Sequence, residues 1–213
     1  MKQRAQFAWG VSWIFSLLAV TACSSLRGVQ GVQHPAPFEL SDQRSSDYRK
    51  VLEKWSRSGE YYADFTVKMA LVAIWLSDEM KEEFQKELKK TYPNGVFPPA
   101  SQQAYESLFP EGCPTPVLVR AWDHTRNEDP LKISPRSWEF YSHHQTAVSF
   151  QKLRDLESVL DRYFPVSPWF GDWHLVCMPD VAHLSSPQFS GGRARAELYV
   201  TSPAGSILLL WGG

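Results

Sequence analysis

The stretch from Glu60 to Leu76 constrains this chain more than any other. Phe65, Val67, Met69, Leu71, Ala73 and Trp75 alternate with Thr66, Lys68, Ala70, Val72, Ile74 and Leu76. The first half has a polar face, and the second half is apolar on both. That pattern describes a long strand running from the edge of a sheet into its middle. A buried helix is the rival reading, because Ala and Met suit helices and a solid apolar run has no periodicity to decide between them.

The segments around it set the remaining expectations. Tyr48, Val51, Leu52 and Trp55 fall at helical spacing, so Asp47 to Ser58 is a helix candidate capped by Ser45 or Ser46 and stopped by Gly59. Ser77-Asp78-Glu79 opens the clearest helix: Ser77 is an N-cap, the two acids favour the positive end of the helix dipole, and Met80, Phe84 and Leu88 form its apolar stripe. Leu153 to Tyr163 carries Leu156, Val159, Leu160 and Tyr163 at helical spacing and precedes Pro165. Pro116–Trp122, Trp138–Ser142, Trp173–Met178, Ala194–Thr201 and Ile207–Trp211 read as strands, with Ala147–Phe150 pairing back onto Trp138–Ser142. Ser202 to Ser206 reads as a five-residue hairpin loop. Together these give an α+β fold: an antiparallel β-sandwich or open barrel with two or three flanking helices. The 9 Trp, 8 Tyr and 12 Phe suit β structure with a filled core.

The first residues have a different character. Lys2 and Arg4 precede an apolar run from Phe7 to Val20, and Val20-Thr21-Ala22 closes on Cys23. The run is about 14 residues, shorter than the roughly 20 needed to span a bilayer, and has the order of a secretory leader. Ending on cysteine, it resembles the lipobox of bacterial lipoproteins, with Val20 where that family usually has Leu. The resemblance covers residues 1–24. It implies that the Cys23 thiol receives a diacylglyceryl group, that residues 1–22 are removed, and that the new amino terminus is acylated. Several acyl chains hold a protein firmly where one holds it marginally. Ser24, where Asp would favour inner-membrane retention, implies the outer membrane and its periplasmic side. Residues 24–41 contain two Gly and two Pro and show no periodicity, so 23–41 reads as a flexible tether and 42–213 as one globular domain.

Charge excludes one class of partner. Without Lys2 and Arg4 the 22 basic residues fall to 20 against 23 acidic ones. No basic stripe stands out, so nucleic acid is not expected as a partner. Once Cys23 is lipidated, Cys113 and Cys177 remain. In an oxidising envelope compartment they suggest a disulfide, the alternative being two unpaired thiols.

Motifs for chemistry are sparse. His143 and His144 are adjacent and lack any spaced ligand pattern, and they read as turn residues. Asp123-His124 follows a strand, and Asp172 and His174 flank Trp173 on one strand face. With His183 these could assemble a metal or acid–base site. No nucleophile elbow or phosphate-cradling loop occurs, and Ser190-Gly191-Gly192 lacks the context for either. The aromatic segment Trp169-Phe170-Gly171-Asp172-Trp173 is either packing over a sheet end or an exposed platform. The expectation is a lipid-anchored envelope protein with a binding or structural role. It would have no catalytic, cofactor or metal residues, and its partners would be the membrane and other envelope proteins. An envelope hydrolase or metalloprotein using Asp123, His124, Asp172 and His174 is the alternative.

Overall fold

The computed structural model describes residues 32–34, 44–123, 138–142, 145–166, 171–179 and 196–211. In chain order these form β1 (Val32–His34), α1 (Ser46–Trp55), β2 (Ser56–Ala63), β3 (Thr66–Trp75), α2 (Asp78–Thr91), α3 (Pro99–Leu108), β4 (Thr115–Asp123), β5 (Glu139–Ser142), β6 (Gln145–Thr146), β7 (Ser149–Lys152), α4 (Glu157–Tyr163), β8 (Trp173–Met178), β9 (Ala196–Thr201) and β10 (Ser206–Trp211). The strands make two antiparallel sheets, one of six in the order β1-β2-β3-β4-β8-β7 and one of four in the order β10-β9-β5-β6. The fold is α+β with the two sheets arranged as a sandwich.

The six-stranded sheet is the middle of three layers. Side chains alternate along a strand, so β3 sends Met69, Leu71 and Ala73 toward the smaller sheet and Val72 and Ile74 toward the helices. β4 divides likewise, with Val117, Val119 and Ala121 on the sheet side and Leu118 on the helix side. The inter-sheet core is completed by Phe140, Leu198, Val200, Ile207, Leu209 and Trp211. On the other face, Tyr48 and Leu52 of α1, Met80, Phe84 and Leu88 of α2, Leu108 of α3 and Leu160 of α4 pack on the sheet. Phe84 is the hub of that layer: its ring meets Tyr163 edge-on at 5.1 Å and lies 5.4 Å from Phe164.

Local chemistry sets the helix ends. Ser45 Oγ accepts the Tyr48 N–H at 3.3 Å and Ser77 Oγ accepts the Met80 N–H at 3.2 Å, each satisfying a donor that the first helical turn leaves open. Pro99 opens α3, where its missing N–H is harmless.

Several elements differ from the sequence reading, each for a local reason. α1 ends at Trp55, and Ser56 begins β2. Glu60–Leu76 is a hairpin, with Ala63 paired to Thr66 around a two-residue turn, where the pattern suggested one long strand. Ala147–Phe150 does not pair as a unit with β5. Gln145 and Thr146 do so, and the chain then changes sheets: Ala147 N–H donates to Phe140 O at 2.9 Å, Val148 N–H to Cys177 O at 2.7 Å, and β7 joins β8. α4 starts at Glu157, because Asp155 takes a left-handed φ of 61°. The loop between β9 and β10 spans four residues, Ser206 being the first of β10. β1 falls within the stretch read as a tether, and α3 is a fourth helix that the pattern did not signal.

The open edge of β10 is covered by side chains. The Gln33 amide imitates a strand, donating to Leu210 O at 3.2 Å and accepting from Leu210 N–H at 2.8 Å, and Arg57 Nε donates to the same carbonyl at 2.9 Å. Such cover blunts an edge that would otherwise template pairing with another chain. The two sheets approach closely at Gly59, where an added Cβ would lie 2.4 Å from Ile207 Cγ2 and 3.1 Å from Leu209 Cδ2. Gly59→Ala is therefore expected to destabilise the fold by about 1–3 kcal/mol through overpacking. A urea titration reads this as a lower midpoint at unchanged slope.

Candidate functional site

The Asp and His residues singled out in the sequence occupy different settings. Asp123 is the last residue of β4, paired in register with Met69. His124, His143, His144 and His183 lie outside the described residues. Asp172 stands immediately before β8, and its carboxylate pairs with the Lys152 ammonium from β7. His174 lies one strand position into β8 and is buried, its ring stacked on Phe150 with centroids 4.8 Å apart. It meets Asp172 through the backbone: Nδ1 lies 3.0 Å from the Asp172 carbonyl oxygen, which can only accept, so Nδ1 carries the proton. Burial holds the imidazole pKa below its ordinary value. Among the described residues no group of three or more His, Cys, Asp or Glu is placed to hold a metal ion.

Trp173, the end of the aromatic segment, is core. Its ring packs 6.4 Å from Phe164, and its Nε1 donates to Asp161 at 2.8 Å. The same carboxylate oxygen accepts from Arg120 Nη1 at 2.8 Å, while Arg120 Nε donates to Gly171 O at 2.9 Å and the guanidinium lies 5.1 Å from the centre of the Trp173 ring. Gly171 has φ 73°, and an added Cβ would sit 2.0 Å from Ala121 O, so glycine is required here. Trp169 and Phe170 lie outside the described residues, as do Ser190–Gly192. A second clamp joins Arg44 to Glu87 at 3.3 Å and sets the guanidinium 4.5 Å from the centre of the Tyr163 ring. In both clamps a cation meets a carboxylate while covering an aromatic ring, an arrangement that fixes packing and leaves the acid engaged.

The tip of the β2–β3 hairpin was not signalled by any motif. Asp64 and Phe65 form its two-residue turn with φ of 51° and 60°. Two successive left-handed residues define a primed hairpin turn, whose favoured sequences carry Asn, Asp or Gly. Asp64 fits that preference. Phe65 does not, and a side-chain-bearing residue held in this region is destabilised by about 1–2 kcal/mol. Its ring is fully exposed, and Tyr62 beside it is 45 % exposed, its hydroxyl donating to the Glu60 carboxylate. A register shift between Tyr61 and Tyr62 turns the strand just below the tip. The base is braced from the other sheet: Gly205 lies against the Tyr61 ring, and Ser202 Oγ–H donates to Met69 Sδ at 3.1 Å. The one sequence cue for this turn was Asp64 interrupting the alternation between Tyr62 and Thr66.

At the opposite end of the sheet Cys113, in the loop before β4, is bonded to Cys177 of β8, with Cα atoms 5.5 Å apart. Cys23 lies outside the described residues. The chain matches no protein-family model, no curated protein and no solved structure.

Two measurements follow from this geometry. The folded state resists protonating His174, so the unfolded chain binds the extra proton as pH falls through the ordinary histidine range. The contribution of His174 to stability is therefore complete above that range and declines below it. Denaturation midpoints between pH 7.5 and 5 should fall, and His174→Gln should flatten this slope. Separately, the bridge closes a sequence separation of 64 residues, for which the chain-entropy relation gives about 4 kcal/mol. Reduction, or Cys113→Ala with Cys177→Ala, should lower unfolding free energy by about 2–5 kcal/mol, read by denaturant titration with and without reductant.

Proposed function

We propose that this chain is a lipid-anchored protein of the bacterial cell envelope, held at the periplasmic side of the outer membrane, whose folded body binds or supports other envelope components and performs no catalysis. The observation that carries the reading is Val20-Thr21-Ala22-Cys23 standing directly behind a basic start and a short apolar run. The bonded Cys113–Cys177 pair supports it independently, since disulfides persist in oxidising compartments such as the periplasm. A binding role is supported by the character of the surface. Asp161 and Glu87, two carboxylates packed beside the helix-layer core, are engaged by arginines, whereas Phe65 is presented to solvent. Metabolic labelling with an alkyne-bearing palmitate tests the anchor. The intact protein should take up label and sediment with membranes, and Cys23→Ser should lose the label and stay soluble or unprocessed. A Cys23→Ser protein that still carries label at wild-type levels refutes the reading.

A further inference from the structure

We propose that the β2–β3 hairpin is a membrane foot, its Phe65 ring and the neighbouring Tyr62 seated in the interfacial layer of the bilayer that holds acylated Cys23. This rests on the lipid-anchor reading and adds an orientation to it.

Strand register supplies the first argument. β1 is antiparallel to β2, with Val32 opposite Glu60 and His34 opposite Ser58. β1 therefore runs away from the turn, and its first residue stands level with Glu60, three residues from Ala63 at the turn and four from Ser56 at the start of β2. Only residues 24–31 separate Cys23 from Val32, and a fully extended chain of that length reaches at most about 30 Å. Ala63 lies about 10 Å from the level of Glu60 at the strand rise per residue, so the turn falls well within the tether's reach. The tether's length reaches either end of the sheet; the direction of β1, which starts on the turn side and runs away from it, sets the hairpin end toward the lipid.

The second argument is the chemistry of the tip. A bulky apolar ring is held fully exposed on a left-handed backbone that Asn or Gly would adopt with less strain. Strain of this kind persists where the surrounding structure imposes it and is concentrated at functional positions. A half-exposed tyrosine with its hydroxyl directed at Glu60 supplies the amphipathic neighbour typical of membrane–water boundaries. One ring is a weak membrane ligand alone. Tethered by an acylated residue it binds intramolecularly, where a weak contact suffices. Glu60 and Asp64 against Lys68 leave the tip slightly acidic, so seating should proceed on zwitterionic lipid without any attraction to anionic headgroups.

The test uses the full mature, lipidated protein with Thr66→Cys carrying an environment-sensitive NBD label, since the other cysteines are bonded or acylated. Vesicles of phosphatidylcholine and phosphatidylethanolamine are the probe. On floated vesicles the label at position 66 should brighten several-fold, shift to the blue and be quenched by headgroup-proximal spin-labelled lipid. The same label at Asp78→Cys should report water. Adding Phe65→Asn, which suits the turn backbone and removes the ring, should return the position 66 label to water without loss of flotation. Protein that floats with a water-exposed label at 66 keeps the anchor and overturns the foot. A label shielded equally without vesicles assigns the tip to a second protein copy and also overturns it. Failure to float removes the anchor itself and the foot with it.

Discussion

The structure depends on one constraint: β3, β4 and β8 carry apolar side chains on both faces and must be covered twice. Each fully buried Val, Leu or Ile contributes about 1.5–3 kcal/mol relative to exposure, so leaving either face in water would forfeit much of the stabilisation available to a chain of this size. The helices α1, α2, α3 and α4 cover one face, and β5, β9 and β10 cover the other. Two consequences follow directly. The chain must cross between sheets, which it does at Ala147 and Val148 with backbone hydrogen bonds to a strand of each sheet. The layers must also approach closely, which is why the position opposite Ile207 is Gly59.

The arginines that enter this apolar framework, Arg120 and Arg44, do so in matched sets with carboxylates. Arg120 stands in β4 between Val119 and Ala121 and points into the helix layer, where Asp161 and the Gly171 carbonyl receive it. An arginine left there without its carboxylate would be an uncompensated buried charge, the costly half of a broken ion pair. The same carboxylate fixes the Trp173 indole, so one acid orients a charge, a ring and the turn leading into β8. Glu87 does comparable work at the start of α1, accepting from Arg44 and the Ser45 N–H. His174 is the exception on the sheet side. Its ring is accepted as an aromatic against Phe150, and its Nδ1 meets a backbone carbonyl, so burial favours the neutral form.

Much of this was legible in residue order, and the gaps have physical causes. Ser77, Met80, Phe84 and Leu88 announced α2 because cap and stripe agree, and the same holds for Tyr48, Val51 and Leu52 in α1. The two-faced burial of β3 was legible from its solid apolar second half. The hairpin before it was hidden because Phe65 occupies a turn position where Gly or Asn gives the signal, and Phe65 itself continued the strand alternation. α3 was hidden because its buried face is made of Ser101, Ala104 and Leu108, too weak a stripe to stand out. Arg120 and Asp161 are 41 residues apart, and no local pattern links a strand arginine to the helix carboxylate that will meet it. The Asp172–His174 spacing was legible as a shared strand face, but Lys152 comes from another strand and takes the carboxylate.

Among the described residues, the two ends of the six-stranded sheet are built to different standards of closure. At one end α1 passes into β2, and Trp211 Nε1 donates to Trp55 O at 2.7 Å while its ring meets Trp75 edge-on at 5.6 Å. Trp55 in turn donates from Nε1 to Glu79 at 2.8 Å, and the Cys113–Cys177 bond ties the loop before β4 to β8 close by. Every large ring named there is engaged by protein. At the other end, among the described residues, the sandwich is braced as far as Tyr61, Met69, Ser202 and Gly205. Beyond that brace two more residues of β2 and the turn extend outward and carry Tyr62 and Phe65 into solvent. A fold that spends tryptophans, a disulfide and side-chain edge caps to close one end, yet holds a phenylalanine in a disfavoured backbone region at the other, is polarised along its strands. The antiparallel pairing of β1 with β2 directs β1 away from the outward-reaching end, a direction set by hydrogen-bond register that does not depend on any single side chain.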